Sequence, residues 1–314
     1  MSIFQHFTGK LIYRRSHPEI PLLNYQDEEV SKMNKEQFLK EFSTFVKAPN
    51  GIEHLRKLIL KIAMLGALVP HDEDEGRGHS LLEPMIEVMQ EMIQNSVIRK
   101  PRYEMGRDLN PIPYEIPAHW TWVELGDVGA IVGGGTPKST EAKFWADGED
   151  IPWLTPADMS ALEGRLIQRG RRDITSEGLA RSSTSLVPAG TVLFSSRAPI
   201  GHVGIAANPL CTNQGFKSCV PFNPEMSEFI YYYLMKAGPE VNENATGTTF
   251  NEVSGKQVAA IPFPLPPLGE MLRIVSKLDE LFALCDDLEG SLSHTADLQG
   301  KFAEAAKESL MLVE

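Results

Sequence analysis

Apolar residues at Ile274, Leu278, Leu281, Cys285, Leu288 and Leu292 recur at steps that alternate four and three, and the pattern runs on more weakly through Thr295, Gln299 and Phe302. That alternation keeps one seam of a helix turned toward a partner, which is the requirement of a coiled coil. It predicts a long amphipathic helix acting as a spacer or assembly arm; a surface helix docked on its own domain would carry the same pattern. Directly before it, Pro262, Pro264, Pro266 and Pro267 punctuate an apolar run. Proline fixes φ and cannot donate to a ladder, so this stretch is expected to be a stiff extended spacer feeding the helix without a loop.

A second helical pattern runs from Met33 to Val69, with Phe38, Phe42 and Phe45 on one face, a break at Pro49-Asn50-Gly51, and then Leu55, Leu58, Ile62, Leu65 and Val69. Two heptad-like helices near opposite ends of one chain are expected to pair with each other or with copies from a second chain. The acidic stretch from His71 to His79 reads as a loop, Leu81 to Ile98 as a further helix, and Pro101 to Pro117 as a proline-rich linker. From Trp120 to Ile261 the texture changes to short apolar runs between Gly, Pro, Ser and Thr. Strands are expected at 122–125, 130–132, 151–154, 191–194 and 203–206, and one helix at 227–236. The fold class is therefore α+β: an arm at 1–33, a helical region and linker at 34–116, a strand-rich domain at 117–265 and a coiled-coil-forming helix at 266–314.

The 314 residues are 42% hydrophobic, enough for sizeable cores. No run approaches about 18 uninterrupted apolar residues and the N-terminus lacks a basic flank before an apolar core, so neither a membrane span nor a secretory signal is visible and the cytoplasm is the expected compartment. Cys211, Cys219 and Cys285 are scattered and odd in number, which points to reduced packing residues rather than disulfides or a metal site. A net charge of −12 argues against a surface that binds nucleic acid all over. About half of that excess lies on residues 267–314, which carry 4 basic and 10 acidic side chains. Within the remainder, Arg165, Arg169, Arg171, Arg172 and Arg181 form a local basic stretch able to reach phosphates, or simply a solvated face.

Gly133-Gly134-Gly135-Thr136-Pro137-Lys138-Ser139 has the glycines, lysine and hydroxyl of a phosphate loop, but Pro137 stands where a glycine must precede the lysine. A glycine turn that brings backbone close to a DNA phosphate fits better. Asn110-Pro111-Ile112-Pro113-Tyr114 is one residue too long for the Asn-Pro-Pro-Tyr motif of amino-methyltransferases and reads as linker. In Ser195-Ser196-Arg197-Ala198-Pro199-Ile200-Gly201-His202 an arginine sits between hydroxyls after an apolar strand, and Cys211-Thr212-Asn213-Gln214-Gly215-Phe216-Lys217 adds amides and a lysine. Arginine reads guanine bidentately and Asn or Gln reads adenine, although such residues also satisfy backbone groups in turns. No glycine-flanked nucleophile or oriented base is present, so no catalytic constellation emerges.

Taken in order, these motifs, together with Ile151-Pro152-Trp153-Leu154-Thr155-Pro156, Gly247-Thr248-Thr249-Phe250 and the proline-to-helix junction at 261–281, resemble the specificity subunits of type I restriction-modification systems. The helical stretch from Ala48 to Pro70 is similar to the region that precedes a target-recognition domain in some of them. The resemblance implies a non-enzymatic subunit. Its recognition domain would read one half of a split site in double-stranded DNA, and its helices would act as ruler and docking surface for methylation and restriction subunits. It holds no cofactor of its own, since S-adenosylmethionine, ATP and Mg2+ would belong to those partners. Family members usually carry two recognition domains, whereas this chain has one globule without an internal repeat, so a homodimer through helices 34–69 and 267–314 is expected. Lys138, Arg165, Arg169, Arg171, Arg172, Arg197, Asn213, Gln214 and Lys217 are the expected DNA contacts. A protein-interaction scaffold that reads no DNA and a self-sufficient adenine methyltransferase are the rival readings.

Overall fold

A computed structural model describes residues 42–311 except 102–105, 107–108, 110, 147, 149, 161–163, 198 and 244–251. The arm at 1–33, Phe38, Asn110 and the Gly247–Phe250 motif lie outside the described residues. Residues 42–47 are helical, and the break at Pro49-Asn50-Gly51 is a tight turn: Asn50 takes a left-handed φ of 60°. A Cβ on Gly51 would stand 2.3 Å from the Phe45 carbonyl oxygen, so only glycine lets the next helix start there.

That helix, α1 (Gly51–Met64), buries Ile52, Ile59, Leu60, Ala63 and Met64. The expected seam through Leu55, Leu58, Ile62, Leu65 and Val69 is only half-buried. The face is rotated because α1 packs against two partners, α3 (Ser227–Glu243) and the long helix α4 (Leu268–Met311), rather than against one coiled-coil neighbour. Helix α2 (Leu82–Gln94) follows a loop that contains two 3-10 turns, Glu73–Glu75 and Gly78–Leu81. Helix α3 runs beyond the expected end at 236 and continues through Pro239.

Eleven strands follow in the described residues between the linker and α4. They are β1 (Thr121–Glu124), β2 (Gly129–Gly133), β3 (Trp145–Ala146), β4 (Ile151–Leu154), β5 (Leu166–Ile167), β6 (Arg172–Ile174), β7 (Val192–Phe194), β8 (Val203–Ala206), β9 (Cys211–Thr212), β10 (Lys217–Pro221) and β11 (Pro262–Leu265). Strands β2-β10-β7-β8-β5 form one mixed sheet, β3-β6-β4-β9 a second, and β1-β11 an antiparallel pair. Phe194, Phe216, Phe222, Phe229 and Phe263 are fully buried where the larger sheet meets α3 and the β1-β11 pair. The chain is thus α+β, with strand-rich and long-helix parts sharing one core.

The proline-punctuated run 262–265 is a strand, which corrects its reading as a ladder-free spacer. Prolines occupy every second position, so their missing N–H groups fall on the side away from β1. Phe263 and Leu265 face Val123 and Thr121 in register. The same alternation turns the Pro262 carbonyl outward, where it accepts the Tyr233 hydroxyl.

Helix α4 starts from this strand and follows the expected seam closely. Ile274, Leu278 and Cys285 are buried, and Leu281, Leu288 and Leu292 half-buried. It lies antiparallel to α1: Arg56 reaches Asp286 at 2.5 Å and the Phe282 carbonyl at 3.3 Å, while Arg273 at the other end holds Glu75. The two terminal helices therefore pair within one chain. Beyond Leu292 the described side chains of α4 through Glu304 are exposed, including Leu298 and Phe302, the latter 77% accessible.

Candidate nucleic-acid interface

The turn after β7 is built by Ser195, whose hydroxyl donates to the Pro199 carbonyl and accepts from the His202 N–H, both at 2.8 Å. Fully buried and doubly bonded, Ser195 shapes the loop and presents no nucleophile. The turn projects Arg197, which meets Glu252 at 2.8 Å, and Glu252 also lies 3.8 Å from Lys217 Nζ. The Val253 N–H donates to the Ser196 carbonyl at 3.0 Å, so the Glu252 segment is locked beside the Arg197 turn by backbone as well as by charge.

The 212–217 loop docks onto the same turn through the Ser196 N–H and the Gly215 carbonyl, 2.7 Å apart. Asn213 spends its side-chain oxygen on the Gly215 N–H at 2.8 Å, an Asx turn that sets the loop's curvature. Gln214 accepts the Thr136 hydroxyl at 2.5 Å, which ties this loop to the glycine run after β2. Lys217 donates to the Gln214 carbonyl at 3.1 Å, with the Ser196 hydroxyl 3.4 Å away. Burial lowers the Lys217 ammonium's proton affinity; Glu252 opposes that and Arg197 adds to it. The hydrogen bond from Arg197 holds the Glu252 carboxyl below the usual carboxylate range.

The glycine run has a different basis from the one expected. A Cβ on Gly134 would stand 2.0 Å from the Asn213 carbonyl oxygen, and one on Gly135 2.5 Å from Ser183 Oγ. These glycines are required by backbone packing against the protein, with the Gly135 N–H bonded to the Thr212 carbonyl at 2.8 Å, rather than by approach to a phosphate. Just past them Lys138 is exposed, and its carbonyl accepts from Trp145 Nε1 at 3.2 Å. The guanidinium of Arg172 lies over the Trp145 ring, 3.8 Å from its centroid. Arg169 pairs with buried Asp173 at 3.4 Å, and Arg171, 75% exposed, approaches Asp158 at 3.5 Å.

One chain of contacts thus joins Arg197, Lys217, Gln214 and Asn213 through Thr136 to Lys138, Trp145 and Arg172, with Arg169 and Arg171 flanking β6. Arg165 is set apart from them. It pairs with Glu228 at 2.7 Å and Asp279 at 2.5 Å and bonds the Tyr232 hydroxyl at 3.0 Å, so its guanidinium is committed to α3 and α4. That engagement places Arg165 away from the cluster and makes it a joint between the strand-rich part and the long helix. Sequence reasoning missed Glu252 and Trp145: an isolated acid and an aromatic in a two-residue strand carry no periodic signal.

Residues 117–295, more than half of the chain, match the type I restriction modification DNA specificity domain. The chain is 39% identical over 166 residues to the type I restriction enzyme MjaIX specificity subunit of Methanocaldococcus jannaschii, covering 52% of this chain and 38% of that protein. It is 30% identical over 196 residues to the EcoR124I/EcoR124II specificity subunit of Escherichia coli, covering 60% and 47%. The chain spans about half or less of the length of these relatives. Among solved structures, the HsdS subunit from Thermoanaerobacter tengcongensis aligns with a TM-score of 0.46 and 24% identity, over 80% of this chain and 53% of that one.

Proposed function

Because the chain belongs to the type I restriction modification DNA specificity domain family, we propose that it is the DNA-recognition and scaffold subunit of a type I restriction-modification complex, itself without catalytic activity. The observation that carries this reading is the convergence of Arg197, Lys217, Gln214, Lys138 and Arg172 on adjoining loops and strand ends of an otherwise acidic chain. Cations on linked loops offer phosphate contacts and bidentate base contacts together, and both are needed to place and to read a duplex.

The single strand-rich domain reads one half of a bipartite site in double-stranded DNA. Helices α1 and α4 set its distance from a second reader and offer docking surface to methylation and restriction subunits, which hold S-adenosylmethionine, ATP and Mg2+. The exposed Phe302 on the seam of α4, with exposed Leu298 beside it, supports pairing with a second copy, which would present two recognition domains related by a two-fold axis. The corresponding compartment is the cytoplasm, and no helix among the described residues is long and apolar enough to cross a membrane.

Selection of random duplex DNA by the chain co-expressed with its methylation subunit, followed by sequencing, tests this. A split motif with a fixed gap is the expected result, palindromic if two copies bind. Unenriched DNA recovered with an intact complex would overturn recognition and leave a scaffold that reads nothing.

A further inference from the structure

Three segments far apart in sequence meet where α4 begins. Glu270 lies in the first turn of α4, its side chain 1% exposed. Its Oε2 is 2.7 Å from His119 Nε2 and 3.6 Å from His71 Nδ1, and the two imidazoles stack with centroids 3.5 Å apart. One nitrogen from each histidine and one carboxylate oxygen all lie within 4.8 Å of one another.

The surroundings hold these groups in place. Trp120 Nε1 donates to the second carboxylate oxygen, Oε1, at 3.1 Å. The His71 loop is pinned to α4 by Arg273, which donates to the Pro70 carbonyl at 2.7 Å and to both oxygens of Glu75 at 3.0 and 2.6 Å. The His119 carbonyl accepts the Gly78 N–H at 3.0 Å. The hydrogen-bonding contacts of the buried Glu270 carboxylate are imidazole and indole nitrogens; Arg273, engaged with Glu75, acts on it only through space, and a buried carboxylate without a directly bound cation is costly.

We propose that His71, His119 and Glu270 bind a divalent transition-metal ion of the zinc class. Two imidazoles and one carboxylate are a zinc donor set, whereas Ca2+ and Mg2+ take oxygen ligands. Zinc holds such ligands at about 2.0–2.2 Å, so tetrahedral neighbours stand roughly 3.4 Å apart. The separations of 2.7 and 3.6 Å from Glu270 bracket that value; stacked rings cannot aim both lone pairs at one ion, so His71, with 34% of its side chain exposed, turns out of the stack on His119 to bind. Its open side leaves the fourth position to water. Trp120 is then the outer partner that orients the carboxylate. The bound ion clamps the loop after α1, the entry to β1 and the root of α4 to one another.

Titrating the tag-free, metal-stripped full chain with Zn2+ by calorimetry and with Co2+ by visible absorption tests the site. Saturation at one ion per chain with the intense d–d bands of a tetrahedral N/O site is expected. His71→Ala, His119→Ala and Glu270→Gln should abolish that binding, and Trp120→Phe should weaken it about 10-fold. No saturable binding by the wild type overturns the proposal without recourse to any variant. So do thiolate charge-transfer bands, which would place the ion on cysteine, and so does undiminished binding by the folded His119→Ala or Glu270→Gln chain.

Discussion

Asp279 on the long helix grips Arg165 through two N–H···O bonds of 2.5 and 3.1 Å, while the Tyr232 hydroxyl donates to the same carboxylate at 2.5 Å. Burial acts to raise the Asp279 carboxyl, but the bonds from Arg165 and Tyr232 outweigh it and the net displacement is downward. Neighbouring Glu228 is pushed up by burial against the opposing pull of Arg165. Asp279 is therefore the firmer anion of the pair. A carboxyl whose folded pKa is depressed contributes stability above its unfolded pKa and loses it as pH falls through the folded one. Asp279→Asn should cost about 1 kcal/mol at pH 7, discounted for partial exposure. The difference in Tm from the wild type should shrink below about pH 4. An equal difference at both pH values would assign the loss to packing.

Glu252 occupies the Arg197 guanidinium and lies near Lys217, where a phosphate or base edge would compete for the same donors. Glu252→Gln is expected to tighten binding to all duplexes alike. Arg197→Ala should cost about 1–3 kcal/mol at one base position if Arg197 reads a base, and should weaken every sequence evenly if it holds a phosphate. Dissociation constants for cognate and scrambled duplexes at two salt concentrations separate these cases.

Gly290 and Gly300 interrupt α4, yet a Cβ at either would meet nothing within 4 Å. Alanine at each should therefore add about 0.8–1 kcal/mol of helix stability. Far-ultraviolet circular dichroism during thermal unfolding would show the gain; a drop in helicity would mean that the helix must bend at these points.

Phe302 continues the seam of α4 beyond Leu292, the last half-buried residue on it, with exposed Leu298 beside it. If a second copy pairs through this face, the wild-type chain should sediment as a dimer at micromolar concentration and replacing both by glutamate should give monomer while leaving the Tm unchanged; a monomeric wild type would remove the proposed pairing. Equal dimerisation by the double variant would place the contact elsewhere.

The long helix and five strands were legible in the sequence because their signals are local: a four-three alternation at 274–292 and short apolar runs between turn residues. What escaped depends on partners distant in the chain. The stripe of α1 is rotated since two helices cover it, a tertiary effect that heptad spacing does not encode. The Pro262–Leu265 strand was hidden because proline's missing donor argues against a ladder until one knows which side pairs. Asn213, Gln214 and Lys217 could be named as a cluster from their spacing. That Thr136 and Glu252 complete it, and that Arg165 leaves it, follows only from the sheet order that brings them together or apart.

The pairing of β1 with β11 means that the polypeptide enters and leaves the strand-rich part through one zipped stem, at Thr121 and Leu265. Everything between is a cassette whose two ends lie side by side. Exchange of that insert needs only two adjacent junctions, with the contacts of α3 and Arg165 to the terminal helices kept. The outward edge of the Pro262–Leu265 strand, stripped of N–H groups at alternate positions, closes the stem against a third strand. Replacing the insert between those two junctions would exchange the segments that carry Arg172, Arg197 and Lys217 while the residues of α1 and α4 stay the same.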